Sequence, residues 1–304
     1  MPQALVFRAA GFATFPERSD SMVIDVHTHT FPDAIAGRTL EKLRLAAHTC
    51  TFSDGTVGGL AASMKAAGVN CSVILPVATN TRQVPHVNDA SARINDQAGE
   101  TGIYSFGCMH PDFDDWRGEL GRIAALGIKG VKLHPVYQEV DLDDIRYLRI
   151  LDRCGELGLT VLVHAGLDVG FPGRVNCSPQ MVLRAVEQVG PVQLILAHMG
   201  GWRNWDEVEQ LLPQTSVYLD TSFSLGRMTP LNDGYYAPAD LDLMGPEQFM
   251  GLVRAFGPQR ILFGTDSPWD GQAEALAHIR ARPLTDEELS AILGGNAQRL
   301  LQIA

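Results

Sequence analysis

Met22-Val23-Ile24-Asp25-Val26-His27-Thr28-His29 decides how this chain is read. Met22 to Val26 is an apolar run broken only by Asp25 and rich in β-branched residues, which predicts a strand. Side chains on a strand alternate faces, so His27 and His29 fall on one face, about 7 Å apart. Two imidazoles so placed at a strand end can grip one metal ion. The plain alternative is a pair of ordinary histidines near a surface turn. The other strand ends bear on that choice.

Seven more apolar runs follow: 69–77, 103–109, 128–133, 159–163, 192–197, 217–219 and 261–263. Continuous rather than alternating runs are expected of parallel strands buried on both faces. Helical patterns with readable ends lie between them. Stretches 37–48 and 56–67 read as helices, the second stopped by Gly68. Asp114 opens one to Leu126, and Asp141 opens one to Leu157. Ser178-Pro179 reads as an N-cap with proline at the first helical position. Asn204 to Glu207 and Thr285 to Glu288 read as capping boxes. Eight strands alternating with helices predict an α/β fold, a (β/α)8 TIM barrel with its site at the carboxyl ends of the strands. A doubly wound sheet would want a glycine-rich turn after the first strand, and His27 to Pro32 contains no glycine. Residues 226–245 form the longest stretch without a pattern, either a surface loop or a lid over the barrel mouth.

The strand ends carry the chemistry. The fourth ends Lys132-Leu133-His134-Pro135, the fifth His164-Ala165-Gly166, the sixth His198-Met199-Gly200-Gly201, and the eighth Gly264-Thr265-Asp266-Ser267-Pro268. His110 ends the third. His134 to His164 spans 30 residues and His164 to His198 spans 34, about one βα unit each. Side chains recurring at that interval can converge on one mouth.

Composition bounds the rest. At 304 residues the chain is long enough to bury a large core without disulfides or metals as staples. A net charge of −11 argues against a nucleic-acid or anionic-membrane surface. Five scattered cysteines without a C-x-x-C pair fit a reducing, cytoplasmic setting. No run reaches the ~20 apolar residues of a membrane helix. Residues 1–21 read as a loosely ordered N-terminal extension, or as the product of a start codon upstream of Met22, with no signal peptide. Residues 22–304 read as a single barrel domain. A small-molecule substrate is the expected partner, with a homodimer as the default assembly.

Taken as a set, these strand ends resemble the amidohydrolase superfamily, in its amidohydrolase-related branch of metal-dependent hydrolases and decarboxylases. The resemblance rests on His27-Thr28-His29, Lys132-Leu133-His134-Pro135, His164-Ala165-Gly166, Ala197-His198-Met199-Gly200-Gly201, Phe263-Gly264-Thr265-Asp266-Ser267-Pro268 and Gly295-Asn296-Ala297. It implies one divalent metal ion held by His27, His29, His164 and Asp266. Imidazole and carboxylate ligands suit Zn²⁺ first, with Mn²⁺, Fe²⁺ and Co²⁺ open. A bound metal can lower the pKa of its water to ~7. Asp266 is then placed to take and return a proton, and His198 to polarise the substrate. The sister reading makes His198 a ligand of a second metal bridged by a carbamylated Lys132.

Lys132, His134, Arg174 and Arg227 are candidate substrate-binding groups, with Arg203 a further cation in the loops. Trp202, Trp269 and Phe171 either wall the pocket or pack under it. Asp25 is either a pocket group or a hydrogen-bond partner deep in the barrel. The expected activity is hydrolysis of an amide, ester or lactone. The alternative is non-oxidative decarboxylation of an aromatic or enoic acid, and a third reading is a non-enzymatic barrel that keeps its metal for stability or for binding a partner.

Overall fold

The structure, a computed structural model, describes residues 22–303. The expected extension over 1–21 lies outside the described residues. All eight apolar runs form strands. They are β1 (Ile24–Thr28), β2 (Cys71–Ile74), β3 (Ile103–Ser105), β4 (Gly107–Cys108), β5 (Gly130–Leu133), β6 (Thr160–Val163), β7 (Leu194–Leu196), β8 (Tyr218–Asp220) and β9 (Ile261–Leu262). The third predicted strand is split at Phe106 into β3 and β4.

Every pairing is parallel, in the order β1-β2-β3 and β4-β5-β6-β7-β8-β9. Two sets of backbone hydrogen bonds join these pieces into a ring. Phe106 N–H reaches Ile74 O at 2.9 Å. Val26 N–H donates to Phe263 O at 2.9 Å, Asp266 N–H to His27 O at 2.8 Å, and His29 N–H to Ser267 O at 2.6 Å. The last strand thus closes on the first, as a TIM barrel requires.

Alternation decides which residues reach the interior. On β6, Val161 and Val163 pack in one apolar cluster with Leu151 and Val182 of the surrounding helices. Leu162 joins a different cluster with Ile195 of the next strand and Ala197 just beyond it. The residue two beyond Leu162 is His164, at the carboxyl end.

The predicted helix ends hold with small shifts. Thr56 caps Val57–Ala67, and its hydroxyl accepts Gly59 N–H at 2.9 Å. Ser178 caps Pro179–Gln188. Thr285 and Glu288 form the expected reciprocal box. Asn204 does not cap. Its backbone turns back at φ −108°, ψ 24°, instead of extending, so its side chain makes no bond to the helix Trp205–Leu211.

Segment 226–245 is an ordered strap. Arg203 donates to the carbonyls of Asp240 and Asp242 at 2.6 and 2.7 Å. Tyr236 Oη donates to Ala47 O at 2.7 Å, and His48 pairs with Asp233 at 2.7 Å. These contacts tie the strap to the loop after β7 and to the end of the first helix.

Asp25 takes the structural role. Its fully buried carboxylate accepts Thr265 N–H at 3.0 Å, Thr265 Oγ1–H at 2.6 Å, Gln272 Nε2–H at 2.8 Å and His27 N–H at 3.1 Å. It therefore pins the segment carrying Asp266 to the strand carrying His27. Removing it strands several buried donors, each costing about 1–3 kcal/mol. Asp25→Ala is expected to lower unfolding stability by about 2–4 kcal/mol in urea denaturation. A loss below about 1 kcal/mol would show that the seam does not depend on this carboxylate.

Candidate metal centre

His27 leaves β1 with its Nδ1 2.9 Å from Asp220 Oδ2. Two residues on, His29 Nδ1 lies 2.8 Å from Leu75 O. Both partners only accept, so both Nδ1 atoms carry the proton and both Nε2 atoms are bare. The two bare nitrogens sit 3.1 Å apart. Asp266 Oδ1 lies 3.3 Å from the first and 3.0 Å from the second. Three electron-rich atoms thus converge with no proton between the imidazoles. Metal bonds of ~2.0–2.2 Å would put such donors about 2.8–3.1 Å apart in octahedral geometry and about 3.3–3.6 Å apart in tetrahedral geometry, and the observed 3.0–3.3 Å lies nearer the octahedral spacing. The trio fits a divalent cation with open coordination for a further ligand, and two imidazoles with one carboxylate suit Zn²⁺, Mn²⁺ or Fe²⁺.

The surroundings hold the trio in register. Asp220 Oδ1 accepts N–H from both His198 and Ser222 at 3.0 Å, and also the Ser222 hydroxyl. A carboxylate behind a ligand histidine fixes its tautomer and raises its basicity. Asp266 itself has φ +70°, and His198 and Met199 have φ +59° and +53°. Left-handed backbone in such residues costs of order 1–3 kcal/mol and persists where neighbours over-determine it. Here Asp266 N–H is held by His27 O, and Met199 N–H by Asp220 O at 2.6 Å.

Burial sets the charges. It lowers His27 well below the usual imidazole range, helped by the Lys132 ammonium, so the ring stays neutral as a metal ligand must. Burial raises the Asp266 carboxyl, and positive charge on His27, His29 and His198 would hold it down to about 2; with these rings neutral, a bound cation supplies that charge instead. Lys132 is fully buried, which drops its pKa to about 8, while Asp220, Asp266 and Asp168 pull the other way. Its Nζ lies 3.4 Å from His27 Nε2.

His164, expected as the fourth ligand, is not in the trio. Its Nδ1 lies 3.0 Å from His198 Nε2, and its Nε2 faces Leu167 O at 3.2 Å and Asp168 Oδ2 at 3.5 Å. The ring also stacks on His134, with centroids 4.3 Å apart. His198 is buried, and its Nδ1 meets the carbonyl and hydroxyl oxygens of Ser222 at 3.0 and 3.1 Å.

Two expected substrate groups lie away from the centre. Arg174 is half exposed and pairs with Glu139 at 2.9 Å. Arg227 is half exposed too, bonded to Asp242 and to Pro238 O within the strap. Arg203 is spent on the strap carbonyls. His110 accepts Asp112 N–H at 3.2 Å and serves its own turn. Trp202 donates to Phe223 O and packs beneath the loops. Phe171 stands 4.9 Å from Tyr137, which in turn packs on His134 at 4.1 Å, so an aromatic wall rises beside the histidines.

Asp220, Ser222, Asp168 and Tyr137 were not singled out from the sequence. Asp220 had a signal, a carboxylate at the end of the seventh strand directly after Leu219. Asp168 lies in a loop and Tyr137 in the single helical turn Pro135–Gln138, both too short of regular structure for periodicity to point a side chain.

The chain matches the sequence profile of the amidohydrolase family over residues 24–303. No curated protein sequence matched it at a significant level. Among solved structures, a TIM-barrel protein from Bordetella bronchiseptica is 19% identical with a TM-score of 0.68, covering 92% of this chain and 98% of that one. A dihydroxybenzoic acid decarboxylase from Polaromonas, with bound manganese, is 16% identical at TM-score 0.62, covering 93% and 97%. A protein from Pseudomonas putida, named as a candidate 2-pyrone-4,6-dicarboxylic acid hydrolase, is 18% identical at 0.61, covering 93% and 98%. At such identities the likeness establishes the barrel fold.

If Asp220 sets the donor strength of His27, Asp220→Asn should weaken Mn²⁺ or Zn²⁺ binding about 10- to 100-fold. Equilibrium dialysis of the folded variant reads this directly. His29→Gln should weaken it further, and unchanged affinity in both would remove the trio as a metal site.

Proposed function

The chain belongs to the amidohydrolase family, and from that premise we propose that it is a divalent-metal-dependent, non-oxidative decarboxylase of a small aromatic or enoic acid. The observation that carries this reading is Lys132. It is the only Lys or Arg among the described buried residues, and its ammonium stands beside the metal-ligand trio. A buried cation next to a bound divalent ion suits a substrate carboxylate. Of the other cations expected to bind substrate, Arg174 and Arg227 are engaged elsewhere. The aromatic wall of Tyr137 and Phe171 supports a flat substrate. Several of the similar structures are themselves decarboxylases, of 5-carboxyvanillate and 2,6-dihydroxybenzoate among others.

The bound cation, Mn²⁺ or Zn²⁺, would supply positive charge to hold the acid and to stabilise negative charge as it develops. Lys132 fixes the carboxylate end. The bond from carbon to carboxylate then breaks, carbon dioxide leaves, and the electron pair stays on the substrate carbon. That carbon takes a proton that comes from water, which leaves as hydroxide, and Asp266 and His198 are the titratable groups we assign to relaying it.

Hydrolysis is the second reading. It is favoured by Asp266, an ionised carboxylate beside the open coordination position, suited to take a proton from water. The two readings separate in one assay.

Mn²⁺-loaded protein incubated with hydroxybenzoates and enoic diacids should release one carbon dioxide per turnover. Hydrolysis of lactones or amides without such release would overturn decarboxylation in favour of the second reading. Lys132→Met should cut kcat/KM by about 100-fold or more, and Lys132→Arg should not restore it, because a planar guanidinium is not a compact ammonium.

A further inference from the structure

We propose that Asp168 sets substrate specificity, its Oδ2 accepting a hydrogen bond from a phenolic hydroxyl that the substrate carries away from its carboxylate. The inference rests on the decarboxylase reading for an aromatic acid in the mouth. It goes beyond that reading in naming the substituent and the residue that selects it.

The loop after β6 fixes this carboxylate. Asp168 Oδ1 accepts Gly170 N–H at 2.7 Å, and the Asp168 carbonyl accepts Phe171 N–H at 3.1 Å. One tight turn thus sets both the acid and the Phe171 ring of the aromatic wall. Oδ2 is left over. His164 Nε2 lies 3.5 Å from it, but that N–H donates to Leu167 O at 3.2 Å. His134 Nε2 lies 3.7 Å from it, beyond hydrogen-bond reach. The Asp168 side chain is only 9% exposed, and a carboxylate oxygen so buried is costly without a donor.

His134 supplies the other half of the subsite. Its side chain is 8% exposed, and neither ring nitrogen makes a hydrogen bond among the described residues. The neutral ring holds one proton, and the carboxylate draws it to Nε2, the nitrogen that faces Asp168. A donor and an acceptor thus stand 3.7 Å apart. A hydroxyl both donates and accepts, so one oxygen about 2.7 Å from the carboxylate and about 2.9 Å from the imidazole satisfies both. An ether oxygen or a bare ring carbon donates nothing and leaves Oδ2 unpaired.

The surroundings fit a phenol. Tyr137 packs on His134 at 4.1 Å, and Phe171 on Tyr137 at 4.9 Å. The rings of His27, His198 and His164 follow one another at 5.3 and 4.7 Å, leading from the metal-ligand trio toward Asp168. A flat acid held by Lys132 at one end can therefore bring a ring substituent to the other.

The test is a preference measured within each protein, which a merely structural role would not move. Mn²⁺-loaded, full-length wild type and Asp168→Asn are assayed for carbon dioxide release from meta- and para-hydroxybenzoate and from their methyl ethers. Isothermal titration calorimetry follows binding of the same acids. The wild type should favour at least one free phenol over its ether by about 100-fold or more in kcat/KM. Asp168→Asn should cut that preference to about 10-fold or less, because an amide of the same size can also donate to an ether oxygen. Asp168→Ala, with circular dichroism as the fold control, should lose the preference as well. A preference that survives both substitutions would overturn the proposal and leave decarboxylation standing, as would a wild type that turns over phenol and ether alike. If none of these acids yields carbon dioxide, the decarboxylase reading fails for them and calorimetry decides the role of Asp168. Binding of the phenol about 10-fold or more tighter than its ether, lost in Asp168→Asn, would uphold that role. Equal affinities, or no binding of either, would overturn it.

Discussion

Electron pairs aimed at one another are the constraint on which the barrel mouth depends. His27, His29 and His198 each have one nitrogen committed to an acceptor behind it, which leaves the other bare. His27 is set by Asp220, His29 by Leu75 O, and His198 by Ser222. A mouth lined with lone pairs and one ionised carboxylate is unfavourable without positive charge. Lys132 supplies one such charge from within the chain. A bound dication supplies more, which is why binding energy and mouth geometry cannot be separated here.

The scaffold keeps these pairs from relaxing apart. The carboxylate of Asp25 ties the last strand to the first, and the backbone of Asp266 is bent into the left-handed region by the hydrogen bond to His27 O. Preorganisation of this kind places the cost in folding instead of in catalysis. The apolar cores around β5, β6 and β7 are what offset it.

Much of this was legible in the sequence. Eight apolar runs gave eight barrel positions because parallel strands buried on both faces leave no polar residues to blur the pattern. His27 and His29 could be located because they end a strand, where direction follows from alternation, whereas Asp266 lies four residues past the last strand and was located by its motif. The arginines could not. Arg174 and Arg227 lie in loops whose course depends on partners such as Glu139 and Asp242, and sequence order does not reveal which charge meets which. His164 was assigned to the right mouth, but a strand end does not tell which ring nitrogen points inward. The capping reading of Asn204 failed for a similar reason, since a cap needs extended backbone and the loop before it supplies none.

Asp220 has a consequence beyond steadying one ring. One of its oxygens takes His27, while the other takes Ser222 and the backbone of His198. Ser222 in turn meets His198, and His198 meets His164. Imidazoles at the ends of three different strands are thus wired through a single carboxylate, like switches on one circuit. Substitutions at His27 and at His198 therefore perturb the same object, and their energetic effects do not sum.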